Sequence, residues 1–253
     1  MSREGDQLFA RYAYAPNELG YCGPAETAAL FELGVSGQAD VDVAAIASRF
    51  SGAWPYLTLL AELAGIADPL DTRVGRAYWT GGALLRAVDR DTFGRKLLEL
   101  IGSQAGHYWG HLGADLLPEA TPTHGFHVFG VYPWSRLLIG PAPEQPLHVL
   151  DSCRVRWGQV VALDGEHVRV RSRRLTWDGC QLGLAAPAEE RVRLAVDGRS
   201  FVAEPAPGDW LALHWDWVCE QLPAADLAEL QRWTGWQLRA TNARLRRERE
   251  DAR

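Results

Sequence analysis

Four of the seven histidines, His107, His111, His124 and His127, fall within 21 consecutive residues. His107 and His111 are four apart, so a helix carries them on one face. His124 and His127 form a second close pair, after a loop containing Pro118 and Pro122. Two such pairs have a spacing that converges on one metal ion, and Asp115, about one turn beyond His111, offers a carboxylate. No Glu follows His107, which sets the segment apart from the His-Glu-x-x-His zinc motif. The plainer alternative packs His107 and His111 beside Tyr108 and Trp109, with His124 and His127 stabilising a loop.

The cysteines are Cys22, Cys153, Cys180 and Cys219, without paired spacing, which fits free thiols better than a disulfide framework. Cys22 precedes Gly23-Pro24 and an amphipathic helix expected over Ala25–Leu33. Proline suits a helix start, and the N-terminal end of a helix favours a thiolate. Cys22 is therefore a candidate reactive or ligating thiol, against the alternative of a small buried residue in a tight turn.

Two kinds of element must position these groups. Residues 1–139 read as a helical domain, with helices expected over Asp42–Phe50, Leu57–Ala64, Thr72–Leu85 and Asp91–Ile101 from their apolar periodicity. Residues 140–147 contain Pro141, Pro143 and Pro146, which disfavour helix and central strand alike and mark a connector. Residues 148–253 alternate in short strands at Gln159–Leu163, His167–Leu175, Gln181–Ala185, Glu190–Val196, Ser200–Ala203 and Trp210–His214. Gly165, Asp178-Gly179 and Asp197-Gly198 supply the positive φ that hairpin turns need. Short strands at this spacing read as a small barrel, and a helix follows from Pro223. Trp210, Trp215 and Trp217 are expected on one face of the last strand, opposite Leu211 and Leu213, with His214 on the leucine face. The fold expected is α+β: an all-helical N-terminal domain, then an OB-like β-barrel with a C-terminal helix.

The last 90 to 100 residues resemble the [NiFe]-hydrogenase assembly chaperones of the HypC/HupF/HoxL type. Three features carry the resemblance: Cys153 opening the first strand ahead of Gly158 and Val160; Gly208-Asp209-Trp210-Leu211-Ala212-Leu213-His214; and a terminal helix rich in Leu and acidic residues around Ala224–Leu230. Two departures stand out: the cysteine is internal rather than next to the initiator Met, and Trp157 replaces the proline usual before the glycine. The resemblance implies that Cys153 and His214 bind an iron fragment bearing cyanide and carbon monoxide. It also implies partnership with a hydrogenase large subunit or other maturation proteins.

The remaining properties bound the function. A length of 253 residues favours two domains. A net charge of −6 argues against nucleic acid and anionic membranes as partners, since both call for a basic surface. No apolar run approaches the ~20 residues of a membrane span, and the first residues lack a signal-peptide core. A cytoplasmic protein is expected. Three functions compete: a non-enzymatic assembly chaperone carrying iron; a metal-dependent enzyme with its site at the helical-domain histidines; and a metal-free interaction module. The ordered match from Cys153 to the terminal helix favours the first.

Overall fold

A computed structural model of the chain describes residues 3–38, 40–104 and 112–251. His107 and His111 lie outside the described residues. The chain is a mixture of helix and strand. Helices α1 (Arg3–Glu18), α2 (Thr27–Ser36), α3 (Val43–Ala47), α4 (Trp54–Leu63), α5 (Thr72–Trp79) and α6 (Arg90–Gln104) come first. A short helical turn α7 (His124–Phe126) runs directly into a π-turn over His127–Val131, and α8 (Trp134–Leu137) and α9 (Glu144–Cys153) follow. Among the described residues no helix is long and apolar enough to cross a membrane.

Among the described residues nine strands come next: β1 (Arg156–Asp164), β2 (His167–Ser172), β3 (Leu175–Trp177), β4 (Leu182–Leu184), β5 (Ala188–Arg193), β6 (Ala195–Val196), β7 (Arg199–Ser200), β8 (Trp210–His214) and β9 (Trp217–Gln221). Helix α10 (Ala224–Asp251) follows β9. The main pairing order is β1-β2-β5-β9-β8, with β8 returning antiparallel to β1. Arg193 and Trp217 pair in parallel and join β5 to β9. The expected turn residues adopt positive φ at Gly165, Asp197, Gly198 and Gly179. Gly158, inside β1, lacks a side chain for a steric reason: a Cβ there would stand 2.8 Å from Val170 Cγ2.

The strands have two apolar faces. Val160, Val168, Val170, Val192, Leu211, Leu213 and Val218 fill the space between the paired strands. Ala212, Trp217 and Cys219 point the other way, into a core that continues through α1, α4 and α5. His214 follows Ala212 in the two-residue period and faces the helices, where Tyr12 of α1 meets it. That overturns its expected place on the leucine face. Trp215 and Asp216 are not strand residues at all: both have positive φ and form the turn between β8 and β9.

The region around the prolines also departs from expectation. Residues 144–147, expected in the connector, are the first turn of α9, with Pro146 at its third position. A proline in the first helical turn gives up an N–H that no helical carbonyl would have accepted, so it costs little there. Cys153 consequently ends α9 instead of opening the first strand, which starts at Arg156.

A candidate metal centre between the helices and the strands

Cys153 is placed by charge. The Asp151 carboxylate accepts from Arg154 Nη2 at 2.8 Å, from Arg174 Nη1 at 3.2 Å and from the Leu175 N–H at 2.8 Å. Arg174 and Arg156 both bind Asp216 in the β8–β9 turn, and Arg156 also reaches Glu190 at 2.6 Å. The Trp215 N–H donates to the Ser152 carbonyl at 2.8 Å. The end of α9 is thereby fixed against the turn that follows His214. Arg154 and Arg156 are almost wholly buried, so each needs its carboxylate partners.

His124 and His127 come from the segment 124–131, in which Phe126, Val128, Phe129 and Val131 are all buried. His124 and His127 are three apart on this helical segment and lie side by side, with ring centroids 5.8 Å apart. His124 is pinned at both ring nitrogens: Nε2 is 2.8 Å from the Cys153 carbonyl and Nδ1 is 3.0 Å from the Tyr78 hydroxyl. His214 Nδ1 lies 2.8 Å from the Tyr12 carbonyl. A carbonyl only accepts, so the proton of neutral His214 sits on Nδ1 and Nε2 carries a lone pair. That buried Nε2 has no hydrogen-bond partner.

One ligand atom each from His124, Cys153 and His214 lies within 4.8 Å of the others. Cys153 Sγ and His124 Nε2 are 3.9 Å apart. Around a tetrahedral ion such donors stand about 3.3–3.6 Å apart, so closing on a metal asks for small movements only. The donor set of one thiolate and two imidazoles suits soft or borderline metals. The backbone bond from His214 Nδ1 is the usual outer support of a metal-bound imidazole.

These groups open into a cavity of about 210 Å³ lined mostly by apolar atoms, including Trp79, Tyr132, Trp134 and Trp215. Burial governs the electrostatics. It lowers His214 to about 4 and His127 to about 3, and holds His124 well below its ordinary value with help from the two neighbouring imidazoles. Burial likewise pushes the Cys153 thiol up to about 12; Cys22 adds to the rise, and the Trp215 indole opposes it. Cys153 and His124 therefore rest as a neutral thiol and a neutral imidazole, which is unlike the ion pair of a nucleophilic cysteine.

The structure thus joins one of the four clustered histidines to both residues of the Cys153/His214 pair. His124 joins Cys153 and His214. His127 lines the same cavity but stands outside the cluster, against Tyr56, Tyr132 and Gly52. Asp115 is half-exposed and pairs with Arg136. Cys22 also lines the cavity, but α2 begins only at Thr27, and burial pushes its thiol up to about 12. The expectation of a helix-activated thiolate at Cys22 is overturned by the distance to that helix. Asn17 holds the Cys22 loop, donating to the Cys22 carbonyl at 3.0 Å and accepting from Thr27 Oγ1 at 2.7 Å. Tyr78 and Gly52, which support His124, carry no signal in the sequence beyond an aromatic in an amphipathic helix and a glycine in a loop.

Fold and site together define an α+β protein with a buried His-Cys-His cluster between its helices and its strands. The chain belongs to the family described as a family of unknown function (DUF6390), which matches residues 1–248 and so spans helices, cluster and strands together. No curated protein and no solved structure matches it.

Proposed function

We propose that the protein is a non-enzymatic [NiFe]-hydrogenase assembly chaperone that carries an iron fragment with cyanide and carbonyl ligands on Cys153, His214 and His124. The observation that carries this reading is the convergence of those three side chains in one apolar cavity. Cys153 and His214 are the two residues singled out by the resemblance of the C-terminal part, read here as an OB-like barrel. His124 adds a third donor from the helical part. A thiolate and imidazoles suit low-spin iron, and the open side of the cluster leaves space for small ligands. The aromatic wall keeps water from such a cargo. The hydrogenase large subunit or another maturation protein would receive it, and the exposed Leu19 and Tyr21 beside the cavity offer a docking rim.

The test is anaerobic purification followed by metal analysis and infrared spectroscopy in the cyanide and carbonyl stretching region. Iron with bands there, lost together in Cys153→Ala while the fold persists, is the expected result. Full iron content in Cys153→Ala would sink the mechanism. Iron or zinc without bands would favour a metal-dependent enzyme at the same cluster, and no metal at all would favour an interaction module.

A further inference from the structure

We propose that Tyr78 is a positioning residue for the cluster: its hydroxyl links His124 Nδ1–H to the Gly52 carbonyl and so holds His124 in the tautomer that presents Nε2 to a metal. The inference rests on the metal-binding reading above, not on the identity of the cargo. Nε2 is the His124 nitrogen on the Cys153 side, 2.8 Å from that residue's carbonyl and 3.9 Å from its sulfur. Nδ1 lies 3.0 Å from Tyr78 Oη, and Tyr78 Oη lies 3.0 Å from the Gly52 carbonyl. Tyr78 is fully buried, so no water competes for its hydroxyl.

Counting protons separates two states. Without a metal, Nε2–H donates to the Cys153 carbonyl, because a carbonyl cannot donate. The single Tyr78 proton then faces two acceptors, Nδ1 and the Gly52 carbonyl, and leaves one of them short. With a metal on Nε2, the imidazole proton sits on Nδ1 and donates to Tyr78 Oη, which donates its own proton to Gly52. Each of those two protons then has one acceptor. The ring loses a proton at Nε2 and gains one at Nδ1, remaining neutral. The Cys153 proton passes to solvent as the sulfur–metal bond forms. The Cys153 carbonyl gives up its donor in exchange, which a carbonyl tolerates better than an N–H does.

Gly52 is a fixed anchor for this chain of bonds. A Cβ on it would stand 2.6 Å from His127 Nε2, so the backbone there is packed against an imidazole that is itself enclosed by Tyr56 and Tyr132. Outer partners of this kind commonly contribute about 10- to 100-fold to metal affinity.

The test uses Zn(II), a diamagnetic probe, on the full chain labelled with 15N-histidine. In the wild type the His124 proton is expected on Nε2 without metal and on Nδ1 with Zn(II), read from the two-bond nitrogen–proton couplings. Tyr78→Phe keeps the ring packing and is expected to weaken Zn(II) binding by about 10- to 100-fold. A proton remaining on Nε2 in the zinc form overturns the proposal, and so does Tyr78→Phe binding within twofold of wild type. If Tyr78→Phe does not fold, the wild-type spectra decide alone. Failure of the wild type to bind Zn(II) overturns this inference. A tautomer switch with zinc in a protein whose purified form lacks cyanide and carbonyl bands supports it and overturns only the cargo.

Discussion

Metal uptake should release one proton per ion, and that number should stay flat from pH 5.5 to pH 9. The thiol of Cys153, raised to about 12 by burial, is protonated throughout this range and must lose its proton to ligate. His214, lowered to about 4, holds only about 0.03 of a proton at pH 5.5, and His124 is depressed in the same direction. Ordinary histidines at 6.5 would each hold about 0.9 of a proton at that pH, giving a total release of about 2.8 per ion. An ordinary thiol at 9.0 would bring the release down to about one half at pH 9. The flat value is thus the signature of a buried, neutral cluster. Affinity for Zn(II) should rise about tenfold per pH unit, or about 1.4 kcal/mol, across the whole range. Calorimetric titration with Zn(II) in buffers of different ionisation enthalpy measures the proton count directly. Nearly three protons at pH 5.5, or half a proton at pH 9, would refute the burial argument.

The same histidines should make the metal-free protein sensitive to acid. His124, His127 and His214 all have folded values below the unfolded 6.5, so their contribution is present above pH 6.5 and is lost as pH falls. Between pH 7.5 and 5.5 His127 and His214, at about 3 and about 4, should together remove roughly 3 kcal/mol in urea unfolding, with His124 acting in the same direction; a stability unchanged over this interval would contradict the buried placement. Gly52→Ala should destabilise by about 1–3 kcal/mol, because its Cβ meets the enclosed His127 ring at 2.6 Å. Most of that loss should vanish in a His127→Ala background, and two additive losses would show that the contact is not the cause.

Local chemistry made much of the scaffold legible. The positive-φ demands of hairpins are met at Gly165, Gly179 and Asp197-Gly198, where the sequence places glycine and aspartate. The Asp42 side chain caps α3 by accepting from the Ala45 N–H, and Asp71 caps α5 through the Arg73 N–H, as residues of that type do at helix starts. Pattern failed where position within an element mattered more than composition. Pro146 reads as a breaker until it is seen to occupy the first turn of α9. Trp215 and Asp216 read as strand until their φ values make them a turn.

The sequence by itself determined which residue types were present to bind a metal: a thiol at Cys153, an imidazole at the end of β8, and a histidine-rich segment ahead of the prolines. It also determined the short-range geometry, since turns and caps depend on a few neighbouring residues. Only the tertiary structure decided that His124, rather than His127, completes the cluster with Cys153 and His214. That choice depends on the Asp151–Arg174–Asp216 network that fixes α9, and on Tyr12 and Tyr78 from distant helices. Contacts between segments so far apart leave no period in the sequence, because they are set by how whole elements pack and not by the spacing of residues within any one of them.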